Sequence, residues 1–377
     1  MRLLPLAALL MASLPALSQF QMQDSHTTAS LRGIHNVGHG IVWASGTEGT
    51  VLRTTDDGAN WQACAVPPNA ERLDFRGIQA FDSETAIVMS SGPGDLSRLY
   101  KTTDGCRTWK LLLTNPDKDG FWDAIQFSHS PGNSKSSKCF GEVVGDPING
   151  HFALFLTVDC GDSWEKQIRE SPPSLAGESL FAASNSSLSV QHQGSRIFVT
   201  GGKSGARILR FWVGFDDTTD SFSDHVAPGT SSFRVVSRGW IVESLPNSRP
   251  SESSGAFSVA ENRIGRQVIV GGDYKQPDKG LAWYQERYAL SHTLPHGYRS
   301  AVAYDEATKT WITVGPNGTD ISRDDGLNWS ALKPSPQDQP DADRNWNALS
   351  LPFVVGPKGR IGKLHPNALP SAGHEQD

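Results

Sequence analysis

The octapeptide Thr54-Thr55-Asp56-Asp57-Gly58-Ala59-Asn60-Trp61 recurs along this chain, as Thr157 to Trp164 and as Ser322 to Trp329. All three read Thr/Ser-x-Asp-x-Gly-x-x-Trp. A fourth copy, Thr102 to Trp109, keeps Asp104 and Trp109 but carries its glycine one place early, at Gly105, with Cys106 in the usual glycine slot. Each residue type has a physical task. The carboxylates of Asp56, Asp104, Asp159 and Asp324 can accept hydrogen bonds from backbone N–H groups of their own turn. Gly58, Gly161 and Gly326 supply the positive φ of a tight turn between antiparallel strands. Trp61, Trp109, Trp164 and Trp329 each offer a large apolar surface to pack between sheets. The repeat is therefore a folding device.

A second repeat raises the count of units. Short apolar strands open each one: Leu31 to Ile34, Phe75 to Ile78, Phe121 to Ile125, Leu180 to Ala183, Ala256 to Val259, Tyr298 to Val302 and Asn345 to Leu349. A second strand ending in a glycine turn follows, as in Val143-Val144-Gly145 and Val268-Ile269-Val270-Gly271. Seven such units predict an all-β, seven-bladed β-propeller. The fourth and fifth units lack the octapeptide, and the fourth carries an insertion around Asp216 to Arg249 that is expected to leave one face. The seventh ends near Leu364, so the segment Gln21 to Thr28 is expected to supply its outer strand and close the ring. The expected organisation is a leader over 1–18, one propeller over 19–364 and a disordered tail over 365–377.

The leader reads as a secretory signal: Arg2, a short apolar run from Leu3 to Leu17, and Ala16-Leu17-Ser18 as a small-x-small cleavage site. No later stretch approaches the ~20 apolar residues of a membrane span. The mature chain is thus expected to be exported, periplasmic or secreted, and monomeric. Its four cysteines, Cys64, Cys106, Cys139 and Cys160, suit an oxidising compartment. Three pairings are open to four cysteines; positions along the repeats favour Cys64 with Cys106 and Cys139 with Cys160. The formal charge of −6 becomes −7 once Arg2 leaves with the leader, which argues against nucleic acid as a partner. No cofactor and no metal site is indicated.

The octapeptide resembles the Asp-box of sialidase-like (BNR-repeat) propellers. The run Leu73-Asp74-Phe75-Arg76-Gly77-Ile78-Gln79-Ala80-Phe81, with Ser97 to Gly105 after it, is similar to the photosystem II stability/assembly factor-like proteins. That resemblance spans nearly the whole mature chain at the level of repeats. It implies a non-enzymatic assembly factor with arginines on the propeller face that contact a protein partner.

Aligning the inner strands puts Arg32, Arg76, Trp122, Phe181, Phe257, Arg299 and Trp346 in one register. Equivalent inner-strand positions ring a propeller's central channel. Arginine offers a planar fork for carboxylate or phosphate, and aromatics stack on sugars, side chains or flat ligands. The same aromatics could instead pack between blades, with the arginines pairing to Asp74 or Asp123. Arg98, in the third strand of the second unit, is a separate candidate. These residues favour a non-catalytic scaffold for a protein partner; the alternative is a glycoside hydrolase or a glycan binder using the same mouth. A sialidase needs three arginines, a Tyr–Glu couple and an acid/base aspartate. Three ring arginines make the comparison reasonable, but the Phe/Tyr-Arg-Ile-Pro motif of the first sialidase arginine is absent, Phe75-Arg76-Gly77-Ile78 being its nearest analogue. Tyr274, Tyr284, Tyr288, Tyr298 and Tyr304 compete for the couple with no motif to choose among them. Gly201-Gly202-Lys203-Ser204 lacks the earlier glycine of a phosphate loop, because Ile197 stands there. His35 and His39 lie in a strand and loop rather than on a helix, and Asp216 to Asp220 reads as a solvated loop ahead of a calcium site.

Overall fold

The computed structural model describes residues 19–128, 139–191, 195–217, 233–285 and 287–369. The expected leader, the acidic positions 218–220 and the tail beyond Leu369 lie outside the described residues. Seven antiparallel sheets form the blades of a propeller. Blade 1 runs Leu31–Gly38, Ile41–Gly46, Val51–Thr54 and Gln62–Ala63; blade 2 Phe75–Ala80, Ala86–Ser90, Arg98–Thr102 and Lys110–Thr114. Blade 3 runs Trp122–Phe127, Gly141–Ile148, His151–Thr157 and Glu165–Lys166; blade 4 Leu188–Val190, Arg196–Val199, Arg207–Asp217 and Phe233–Ser244. Blade 5 consists of Ser254–Glu261, Gln267–Asp273, Gln276–Tyr284 and Ala289–Leu290, with the short strands Glu178–Ser179 and Gly201–Gly202 added on its inner side. Blade 6 runs Ala301–Asp305, Thr310–Gly315, Gly318–Ser322 and Ser330–Ala331. Blade 7 takes Ala348–Ser350, Phe353–Val355 and Ile361–Leu364 from the end of the chain and Phe20–Gln23 from its beginning.

That last exchange closes the ring. Phe20 stands opposite Leu364 and Gln23 opposite Ile361, and the Asp338 carboxylate accepts from the backbone N–H groups of Gln19 and Phe20 at 2.9 and 3.0 Å. His365 to Leu369, expected in the tail, instead form a turn that buries Ala368 and Leu369 in the blade 6–blade 7 core. The insertion in the fourth unit lengthens the outer hairpin of blade 4, Arg207–Asp217 with Phe233–Ser244.

The core lies between neighbouring blades. Trp43 and Val51 of blade 1 meet Phe75, Ile78 and Tyr100 of blade 2, and Ile87 and Leu99 of blade 2 meet Trp122, Val143 and Phe155 of blade 3. Truncating one such aromatic to alanine costs about 3–5 kcal/mol.

The octapeptide turns repeat one hydrogen-bond pattern. Asp56 accepts from the Thr54 hydroxyl at 2.7 Å, from Asn60 N–H at 2.9 Å and from the Asn60 side-chain amide at 2.7 Å. Asp104, Asp159 and Asp324 repeat these contacts with Thr108, Ser163 and Asn328. The displaced glycine of the second copy now has a reason. Each turn holds two consecutive left-handed residues: Asp57 and Gly58 at φ 62° and 86°, Gly105 and Cys106 at 68° and 63°. Glycine relieves the steric cost at either place, so the second copy swaps the order and leaves the turn intact.

Cys64 and Cys106 are disulfide-bonded, joining the outer edge of blade 1 to the turn of blade 2 across 42 residues. Closing a loop of that length stabilises by about 4 kcal/mol in the chain-entropy account. The expected second bridge is not formed. Cys139 and Cys160 are both free thiols, although they are neighbours, with Cys160 N–H 3.5 Å from Cys139 O. Burial, with Cys160 beside it, pushes the Cys139 thiol up to about 12.

Candidate functional site

A one-residue irregularity builds the mouth of the channel. In blade 1 Leu31 pairs with Gly46 and Gly33 with Ser45, so Arg32 stands in a bulge. Arg76 in blade 2, Asp123 in blade 3 and Phe257 in blade 5 occupy the same bulge. Ala301 opposite Val314 and Ala348 opposite Val355 extend the register to Ser300 and Asn347. A bulge re-aims its extra side chain away from the sheet's own alternation. All six of these residues line one cavity of about 520 Å³.

The residue before the bulge is turned into the core: Leu31, Phe75, Trp122, Ala256, Arg299 and Trp346 are all buried. Backbone approach is tight at this level. A Cβ on Gly145 would come within 2.3 Å of Phe121 O, and one on Gly271 within 2.0 Å of Gly255 O. The strand-ending glycines are there because a carbonyl of the inner strand lies against them.

This geometry corrects the expected ring. Arg32, Arg76, Phe257 and Phe181 reach the mouth, and Trp346 borders it while remaining 1% exposed. Trp122 does not reach it, because it packs edge-on against Phe155 at 5.2 Å in the blade 2–blade 3 core. Arg299 is equally enclosed. It donates from Nε to Asp320 at 2.8 Å and from Nη1 to Asn317 and Tyr298 O at 2.7 and 3.0 Å, and its Nη2 also meets Asp320. Arg98 lies elsewhere on blade 2, donating to Asp95 O at 2.6 Å and Asn69 O at 3.3 Å. A register error of one residue exchanges the two faces of a strand. Trp122, Arg299 and Trp346 are each one position before the residue that faces the mouth. The legible signal was the small-then-aliphatic pair after the bulge: Gly33-Ile34, Gly77-Ile78, Ala124-Ile125, Ser258-Val259, Ala301-Val302 and Ala348-Leu349.

The fourth unit departs from the others. Leu180 to Ala183, expected as its inner strand, is irregular; the strand is Leu188–Val190. The chain between them crosses the channel and plugs it. Ala182 O accepts from Arg76 Nη1 of blade 2 at 3.1 Å, and Asn185 Oδ1 accepts from Ile125 N–H of blade 3 at 2.8 Å. Ser186 O accepts from Val259 N–H of blade 5 at 2.9 Å, and the Ser184 hydroxyl donates to Ser300 O of blade 6 at 2.6 Å. Asn185 sits at φ 63°, a conformation its short amide tolerates. The plug is the floor of the cavity.

Two walls differ in character. On one, Phe181 stacks on Phe257 with centroids 4.0 Å apart; Tyr274 meets both edge-on at 6.3 Å, and Tyr298 meets Phe257 at 4.7 Å. Tyr274 is nearly half exposed, while burial pushes the Tyr298 hydroxyl well above its usual pKa and keeps it neutral. The other wall is charged. Arg76 donates to Asp74 at 2.7 Å. Burial, and then the neighbouring Arg76, pull the Arg32 pKa below its usual value, and Arg32 Nε is buried without a partner. Asp123 and Asp146 of blade 3 complete it. Burial, and then the Asp146 charge, push Asp123 well above the usual carboxylate range, and burial lifts Asp146 to about 6. No group of His, Cys, Asp and Glu suited to a metal ion occurs among the described residues, and no described helix is long and apolar enough to cross a membrane.

No protein-family model and no curated protein sequence matches the chain. Solved structures do match its fold. A structure of YCF48 bound to a D1 peptide is 18% identical, with a TM-score of 0.58, covering 93% of this chain and 99% of that one. YCF48 from Cyanidioschyzon merolae is 17% identical, with a TM-score of 0.58, covering 92% of this chain and 99% of its own. A GH74 xyloglucanase from Xanthomonas campestris is 12% identical, with a TM-score of 0.57, over 92% of this chain and 53% of that enzyme. The chain is an all-β, seven-bladed propeller, and it shares that fold with YCF48 over more than nine-tenths of its length.

Proposed function

We propose that this protein is an exported, non-catalytic propeller that binds a protein partner at the plugged mouth. The observation that carries the reading is the cavity itself: two arginines and a cluster of aromatics around one opening, on a floor made rigid by hydrogen bonds to four blades. Rigid aromatics beside arginine are the composition of protein-binding hot spots. The likeness in fold to a propeller that has been seen with a peptide points the same way. Export rests on the leader sequence and agrees with the Cys64–Cys106 bridge.

The test is affinity capture from periplasmic or secreted extract, with an Arg32→Ala/Arg76→Ala double variant as control. Arg299 is left intact, since removing one partner of its buried pair with Asp320 would destabilise the bait. A protein held by the wild type and lost by the variant supports the reading; equal capture by both removes the mouth from it.

One observation favours a second reading, glycan binding or hydrolysis: the carboxyl pair Asp123 and Asp146 lines the same cavity. Both rise from adjacent strands of one blade, whereas a glycosidase needs carboxyls flanking the scissile bond. Among the described residues, no glutamate lines the mouth to pair with Tyr274 or Tyr298. Release of reducing sugar that disappears in Asp123→Asn would move this reading to first place.

A further inference from the structure

Asp123 and Asp146 are the groups at the mouth that binding through arginines alone leaves without a task. Asp123 stands in the blade 3 bulge, where Trp122 pairs with Gly145 and Ala124 with Val144; Asp146 follows Gly145 on the neighbouring strand, and both line the cavity. Asp146 accepts from Leu180 N–H of the plug at 2.9 Å. Asp123 is 1% exposed, yet its Oδ2 has no hydrogen-bond partner although the side chain borders the cavity. An unmet buried carboxyl oxygen is costly, and two carboxyls in one buried site do not both ionise readily. On the donor side, Arg32 Nε is also buried without a hydrogen-bond partner.

We infer that Asp123 and Asp146 act as one proton-holding pair that sets the charge of the mouth, so that the site takes a carboxylate-bearing ligand while the proton is held and releases it when the proton leaves. This inference rests on the reading of the mouth as the binding site. The other charged and titratable groups around the pair are Arg32 from blade 1, Arg76 and Asp74 from blade 2, Tyr274 from blade 5 and Tyr298 from blade 6. With Tyr298 neutral, two arginines face Asp74 and the pair. With one proton on the pair the net charge is zero; a second, taken up at Asp146, raises it to +1, and this is the proton whose loss releases the ligand. A ligand carboxylate then meets Arg32 and Arg76 without a competing anion at Asp146. The Asp146 value of about 6 places that change between mildly acid and neutral pH. An attached aryl or aliphatic group would lie against Phe181 and Tyr274.

The experiment uses the full chain and benzoate as probe, with benzamide as its uncharged counterpart, followed by NMR titration at pH 5.0 and 7.5. Benzoate is expected to bind about tenfold more tightly at the lower pH, the change that follows from one pK unit of linkage, while benzamide shows no such change. In Asp146→Asn the benzoate affinity is expected to become the same at both values. Equal benzoate affinity at the two pH values in the wild type overturns the inference and leaves the mouth standing as a binding site. No benzoate binding at either pH overturns both. Should the variant fold poorly, carbon-13 titration of the wild-type aspartates decides: two carboxyls that both titrate in the ordinary range overturn the inference, and one that titrates near neutrality supports it.

Discussion

Arg76 and Arg299 look alike in sequence, each opening an inner strand beside an aromatic residue, and the fold uses them in opposite ways. Arg76 stands in a bulge, partly exposed, with one bond to Asp74 and one to the plug. Arg299 stands one place earlier in its strand register, where the other blades put Leu31, Phe75, Trp122, Ala256 and Trp346. A guanidinium in that apolar position requires a buried counter-charge, and Asp320 supplies it. The first arginine is available to a ligand; the second is held inside the wall. Position within the bulge, more than residue type, separates a binding group from a structural one.

The largest effect should come from breaking that wall. Removing one partner of a buried pair leaves the other charge unmet, at about 3–5 kcal/mol. Arg299→Ala is therefore expected to lower the denaturant midpoint severely, while Arg32→Ala changes stability by less than about 1 kcal/mol. Equal losses in the two variants would break the comparison. The plug comes next. Asn185→Ala removes the acceptor of Ile125 N–H from a buried site and should cost about 1–3 kcal/mol, measured by the same unfolding curves. It should also open the channel floor, seen as faster hydrogen exchange at Ile125.

Much of this molecule was legible in its sequence. The four octapeptides and the seven apolar strands gave the all-β ring, because their chemistry is local: Asp56 bonds within four residues of itself. The mouth was legible only in part. Arg32, Arg76 and Phe257 precede Gly33, Gly77 and Ser258 and fell into register, whereas aligning on the bulky residue in blades 3, 6 and 7 selected Trp122, Arg299 and Trp346. The plug was not legible at all, since its bonds join Asn185 and Ser184 to residues 60 and 116 positions away. Asp146 was hidden for the same reason: what makes it notable is burial beneath Leu180, a contact between units.

Titration sharpens the contrast between exposed and enclosed carboxyls. In the turns, hydrogen bonds from the Asn60, Thr108 and Ser163 side chains hold Asp56, Asp104 and Asp159 down to about 2. A carboxylate depressed by folding contributes stability above its unfolded pKa, and that contribution is lost as pH falls from about 4 toward 2. Glu142 has the opposite sign. Burial lifts it to about 7, with Arg196 at 2.9 Å opposing the shift. Its contribution is present below its unfolded pKa near 4.5 and is lost as pH rises toward 7. Unfolding curves across pH 2 to 8 should show both limbs. Asp104→Asn should flatten the acid limb and Glu142→Gln the limb approaching neutrality; a variant that flattened the other limb would reverse the assignment.

The smallest effect is expected at Arg98, and it bears on what kind of arginine counts. Arg98 shares a blade with Arg76, but its guanidinium is occupied by Asp95 O and Asn69 O away from the cavity. Both acceptors are exposed loop carbonyls that water can satisfy, so Arg98→Ala should change stability by no more than about 0.5 kcal/mol. Benzoate titration should read the same in Arg98→Ala as in the wild type, and should fail in Arg76→Ala. If Arg98→Ala weakened the probe as much as Arg76→Ala, the bulge would not be what selects the binding arginines, and net positive charge on blade 2 would explain the site as well.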